Sequence, residues 1–167
     1  MGKIRPFTII KDTREQKGYT FEASRTKYHI CKGMVSRKLD TGDYSIEGLE
    51  DKICIERKAS AVELANNVGF GSRRFMAEIE RMKEFPHKFL VLEFSLQQLM
   101  DFPEGSDIPE SEIKKLKISN KYMLRFLMEL QINHDIHVIF CGSKRDAKWT
   151  VLSILKRINE KYSSGIK

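Results

Sequence analysis

Apolar residues along this chain gather in short runs, and longer stretches of helical spacing separate those runs. Phe7-Thr8-Ile9-Ile10, Ile53-Cys54-Ile55, Phe89-Leu90-Val91-Leu92 within residues 87–93, and residues 136–140 are brief and rich in β-branched side chains, which predicts strands. Tyr44-Ser45-Ile46, entered from Gly42 and broken by Gly48, predicts another, and Ile30-Cys31 marks one more. Between them Ala59, Val62, Ala65 and Val68 share one helical face. Phe75, Ile79 and Met82 form a second face, with Ser72 as its N-cap and Pro86 beyond its end. Gly69-Phe70-Gly71 separates these two helices. Met123, Leu127 and Leu130 form a third stripe, read as core or dimer surface. A closing helix over residues 144–162 is expected to turn Trp149, Leu152 and Leu155 inward. Pro103, Gly105 and Pro109 mark a loop over residues 101–109. Strands interleaved with helices predict an α/β layer architecture.

The chemistry sits at strand ends. The strand at residues 53–55 runs directly into Glu56-Arg57-Lys58. Alternation sends Glu56 and Lys58 to one face and Arg57 to the other. Asp43 follows Gly42 at the entry to the neighbouring strand, so pairing of the two strands brings Asp43 and Glu56 together beside the Lys58 ammonium. Hard carboxylate oxygens suit Mg²⁺ or Mn²⁺, and a lysine can hold a phosphate or orient a water. That is the apparatus of metal-assisted phosphodiester hydrolysis. A solvated strand face carries such a triplet too, so its company decides. The first strand ends in Lys11-Asp12-Thr13-Arg14-Glu15, which places Asp12, Arg14 and Glu15 where a strand gives way to a loop. Asp12, Glu15, Asp43 and Glu56 gathered in one place repel one another, and a cation between them is the simplest relief.

Composition narrows the partners. The 167 residues, 41% of them hydrophobic, predict one globular domain over residues 1–167 with a real core. Thirty Lys and Arg against 23 Asp and Glu leave a net charge of +7, which favours polyanions and nucleic acid first among them. Arg73 and Arg74 lie off the buried stripe of their helix and are candidates for phosphate contacts, as are Lys115 and Lys117 in a later basic cluster. The longest apolar run is far too short to cross a bilayer, and no signal-peptide core follows Met1, so no membrane role is expected. Cys31, Cys54 and Cys141, an odd number among apolar strand residues, read as reduced core thiols of an intracellular protein. His134 and His137 lack the spacing of a zinc set.

In order and spacing, Asp12-Thr13-Arg14-Glu15, Gly42-Asp43 and Ile55-Glu56-Arg57-Lys58 resemble the XPF/Hef family of structure-selective nucleases. Residues 71–82 resemble that family's arginine-bearing helix, and residues 136–141 with the helix behind them its closing strand and helix. The likeness spans residues 7–161. It implies a restriction-endonuclease-like PD-(D/E)XK core, a central mixed β-sheet flanked by α-helices. It also implies a Mg²⁺- or Mn²⁺-dependent endonuclease acting on branched DNA such as flaps, forks and Holliday junctions, with no organic cofactor. By resemblance, Asp43, Glu56 and the Arg57 backbone carbonyl hold the ion and Lys58 positions the nucleophile. Asp12 and Glu15 hold a second ion or orient metal waters, and Arg14 steadies the site. Where the family places an acid four residues after the lysine this chain has Val62, and Glu63 fills that role if one residue is inserted. The chain ends at Lys167 without the family's helix-hairpin-helix module and so resembles a stand-alone nuclease domain; family habit further implies a homodimer. Two alternatives stay open: a catalytically inactive DNA-binding subunit, and a restriction or resolvase-type nuclease of the same superfamily.

Overall fold

The computed structural model describes residues 5–69, 71–115 and 117–163. Its strands are β1 (Phe7–Lys11), β2 (Ser24–Arg25), β3 (Ile30–Ser36), β4 (Tyr44–Ile46), β5 (Ile53–Lys58), β6 (His87–Leu92) and β7 (His137–Phe140). Its helices are α1 (Ala61–Val68), α2 (Ser72–Met82), α3 (Leu96–Asp101), α4 (Glu110–Ile113), α5 (Asn120–His134) and α6 (Lys144–Ser163). The strands form one mixed sheet in the order β2-β3-β1-β4-β5-β6-β7. β4 runs antiparallel to both β1 and β5, while β5, β6 and β7 run parallel. This is the restriction-endonuclease-like α/β arrangement that the resemblance implied.

Helices cover both faces of the sheet, so β5 is buried throughout and β6 at four of its six positions, as parallel strands require. On one face Leu90 and Leu92 of β6 pack with Leu64, Phe75, Ile79, Met82, Leu127 and Leu130 from α1, α2 and α5. On the other, Ile53, Ile55 and Val91 pack with Ala147, Val151, Leu155 and Ile158 of α6. The alternation within β5 follows from this layering. Cys54 belongs to the α1/α2 layer, and Ile53 and Ile55 to the α6 layer.

Several sequence expectations shift. The buried face of α1 is Ala61, Leu64, Ala65 and Val68, with Ala59 exposed outside the helix. Ser60 caps it by accepting the Glu63 N–H, and a capped serine fixes the start two residues later than the apolar pattern suggested. Gly71, not Ser72, caps α2, and no side chain bonds its free N–H groups. Trp149 is 61% exposed, not inward. It lies two residues from both Ala147 and Val151, and at 100° per residue that places it on the opposite side of α6. Met123, Leu127 and Leu130 resolve as core. The strand seen at Ile30-Cys31 extends to Ser36. The three cysteines are free thiols, and among the described residues no helix is long and apolar enough to cross a membrane. Phe70 lies outside the described residues.

Candidate active site

β4 and β5 pair through Tyr44 opposite Ile55, and continuing that antiparallel register by one residue sets Asp43 opposite Glu56. Hydrogen bonds fix the backbone there. Asp43 N–H donates to the Ile55 carbonyl (2.8 Å), and the Asp43 carbonyl accepts from Asp12 N–H (2.8 Å), which ties the end of β1 to the same point. Gly42 is obligatory in this turn. Its φ is +80°, and a Cβ would stand 2.6 Å from Cys54 Sγ.

Asp43, Glu56 and Lys58 line one cleft of about 340 Å³, together with Asp12, Arg14 and Glu15. Lys58 Nζ donates to Glu56 Oε1 at 2.7 Å and lies 4.7 Å from the Phe75 ring centre. Both side chains are about 5% exposed, so the pair sits in a low-dielectric setting where charge acts strongly. The Arg57 N–H donates to Asp43 Oδ2 (2.8 Å). Among the described residues, nothing donates to Asp43 Oδ1 or Glu56 Oε2. Burial, then the charge of Glu15 and Glu78, pushes the Asp43 carboxyl up to about 7 despite the Arg57 N–H. Burial and the neighbouring Asp43 also raise Glu56. Burial lowers Lys58, but the Glu56 carboxylate with Glu63 and Asp43 behind it more than offsets that, and the ammonium titrates above its usual range. Two carboxyls that resist ionising together, each with an oxygen to spare, fit a divalent cation. Among the described residues, no three His, Cys, Asp or Glu side chains group as metal ligands. Such an ion would therefore take one or two carboxylates and complete its shell with carbonyl oxygen and water, which is how Mg²⁺ is usually held.

Asp12 does not offer itself as a ligand. Oδ1 accepts from Arg14 N–H and Nε, and Oδ2 from Arg14 Nη2 and Leu39 N–H, at 2.6–3.1 Å. Burial would raise this carboxyl, but those donors together hold it below the usual range. Its expected contact with an ion gives way to a caged carboxylate that fixes Arg14, whose Nη2 also reaches the Leu39 carbonyl. The Arg57 side chain points away from the acid pair, as strand alternation required. Its guanidinium lies on the opposite face of β5, bonded to Glu15 (3.2 and 3.3 Å) and Glu93 (2.9 Å) and 5.8 Å from the Tyr19 ring centre. Glu15 therefore borders the cleft with its carboxylate committed to Arg57.

Arg74 lines the cleft, whereas exposed Arg73 does not. Lys115 and Lys117 are exposed on the segment before α5 and do not border it either. Glu63 borders the cleft, but one of its oxygens accepts Ala59 N–H (2.8 Å), closing the turn into α1. Sequence reasoning missed Glu78 of α2, which lines the cleft and reaches Gly42 N–H. Its one sequence signal is a position three residues past Phe75, at the rim of the buried stripe.

The fold and cleft together define a restriction-endonuclease-like domain with an acid pair and a lysine at its centre. The chain belongs to the ERCC4 domain family, the XPF-type nuclease domain: that family's model matches residues 12–151. A comparison with curated protein sequences gives no match. Among solved structures it is similar to XPF from Aeropyrum pernix, at TM-score 0.57 and 16% identity over 90% of this chain and 60% of that one. It is also similar to XPF from Aeropyrum pernix in complex with DNA, at TM-score 0.58 and 17% identity over 93% of this chain and 66% of the other. At that identity the likeness establishes the fold.

Proposed function

We propose that this domain is a divalent-metal-dependent DNA endonuclease that cuts beside branch points. The supporting observation is the pair of facing carboxylates, each with an uncommitted oxygen, next to the buried Lys58 ammonium. A bound Mg²⁺ or Mn²⁺ would supply Lewis acidity toward the phosphate and lower the pKa of a coordinated water. Asp43 and Glu56 would hold the ion. Lys58, kept charged by Glu56, would hold the nucleophilic water in line or offset charge growing on the phosphate. Arg74 and the Asp12-fixed Arg14 bring positive charge to the rim, where a phosphate on either side of the cut would sit. Family membership and the net positive charge support DNA as the substrate, and the preference for branches extends the family likeness.

A cleavage panel tests this. With Mn²⁺ or Mg²⁺, flap, fork and four-way-junction DNA should be cut faster than unbranched duplex, and Ca²⁺ should allow binding with little hydrolysis because its looser coordination orients water poorly. Equal cutting of unbranched plasmid would point instead to a restriction-type enzyme. DNA binding without cutting under either ion would leave only a binding subunit.

Homodimerisation belongs to the same reading. Helix α5 leaves Met128 and Ile132 exposed, Ile132 at 80%, an apolar surface of the kind that a second copy covers. Sedimentation equilibrium should show dimer at micromolar concentration, and a monomer throughout would remove this part of the proposal.

A further inference from the structure

Helix α2 turns two polar side chains toward the residues that lead into β4. Arg81 Nε donates to Thr41 Oγ1 (3.0 Å), and Glu78 Oε1 accepts from Gly42 N–H (3.5 Å). Three residues apart, they stand on one side of the helix. The seam that they grip is narrow: a Cβ on Gly42 would meet not only Cys54 Sγ but also the Ile55 carbonyl oxygen, 3.1 Å away. Residues 41–43 are therefore held from two directions, by β5 below and by α2 above. Glu78 also faces the cleft beside Asp43 and Glu56. Apart from Asp43, whose carboxylate accepts only the Arg57 N–H among the described residues, the other cleft acids have a cation or a cap. Asp12 pairs with Arg14, Glu15 with Arg57, and Glu56 with Lys58, while Glu63 closes the turn into α1. Among the described residues, no lysine or arginine pairs with Glu78.

We propose that Glu78 is a positioning residue for the cation seat. Its carboxylate holds the Gly42 amide so that Asp43 faces Glu56, and its charge strengthens cation binding from outside the coordination shell. This rests on the metal-dependent reading above. Acting from outside accords with the lack of a third side-chain ligand group among the described residues.

Two substitutions separate the roles. Glu78→Gln keeps an acceptor for Gly42 and removes the charge, whereas Glu78→Ala removes both. In Mn²⁺ titrations followed by electron paramagnetic resonance, Glu78→Gln should bind about tenfold more weakly, as changes to groups that support metal ligands commonly do. Without metal it should melt at or above the wild-type temperature, because a like charge near Asp43 and Glu56 is gone. Glu78→Ala should also bind weakly but melt below Glu78→Gln, because the turn loses its tether. A purely structural role predicts the reverse for Glu78→Gln: a lower melting temperature with Mn²⁺ affinity intact. Affinity equal to that of a metal-binding wild type overturns the role of Glu78 alone. A wild type that binds no Mn²⁺ overturns the metal reading and this inference with it.

Discussion

Asp43→Asn protein should cut labelled flap DNA at least about a hundredfold more slowly than wild type, and should melt at a higher temperature when metal is absent. The two effects share one cause. Asp43 is half of the acid pair, and Asn keeps its shape and an oxygen to accept the Arg57 N–H but gives up the charge that would hold an ion. In metal-free protein that charge is a burden. The folded carboxyl titrates near 7 against an ordinary 3.8, because burial and the nearby Glu15 and Glu78 disfavour the ionised form. A group whose folded value is raised binds its proton more tightly in the native state. The stability that it lends is complete below the unfolded value and disappears as pH rises through the folded one. The melting-temperature gap between Asp43→Asn and wild type should therefore open between about pH 4 and pH 7 and stay level above that. Lys58→Ala should lose cutting to a similar degree, and it should lose stability too, because Glu56 is left buried without the ammonium that pairs with it and must take up a proton. Cutting at the wild-type rate by either variant would remove the active-site assignment. A gap independent of pH would show that Asp43 is not the group titrating.

Arg57→Met should destabilise the domain by about 3–5 kcal/mol, measured by urea unfolding, which is much of what a domain of this size has to lose. Arg57 carries the charge that balances both Glu15 and Glu93, and all three side chains are at most 11% exposed. Removing it strands two carboxylates in a poorly solvated layer, and that penalty exceeds the worth of the ion pairs themselves. Adding Glu93→Gln to Arg57→Met should recover part of the loss, a non-additivity that a double-mutant cycle reads directly. A loss near that of a surface salt bridge, under about 1 kcal/mol, would show that water reaches the network.

Much of the site was legible before the fold was known, because it depends on short-range rules. Strand alternation separates Glu56 and Lys58 from Arg57, and a glycine before Asp43 signals a turn feeding the adjacent strand. What escaped reading depends on distant partners. Glu78 looks like any helix glutamate, no different from Glu80, until α2 settles on the Thr41–Gly42 seam. The alternation put Arg57 on the far face but could not supply its counter-charge, because Glu93 follows a different strand. Asp12 read as an available acid, since nothing in Asp12-Thr13-Arg14 says that the arginine folds back onto it. Trp149 misled by its size, because hydrophobicity without phase does not say which side of a helix is covered.

Strand β5 uses its successive side chains for unrelated tasks in opposite layers, and that limits how its gene segment can change. Deleting one codon ahead of Glu56 would swap sides along the rest of the strand, sending the guanidinium into the cleft and both Glu56 and Lys58 against α6. Descendants of this sequence can alter these six positions only by replacement at fixed length, while insertions and deletions should collect in exposed connections such as the one around Gly105.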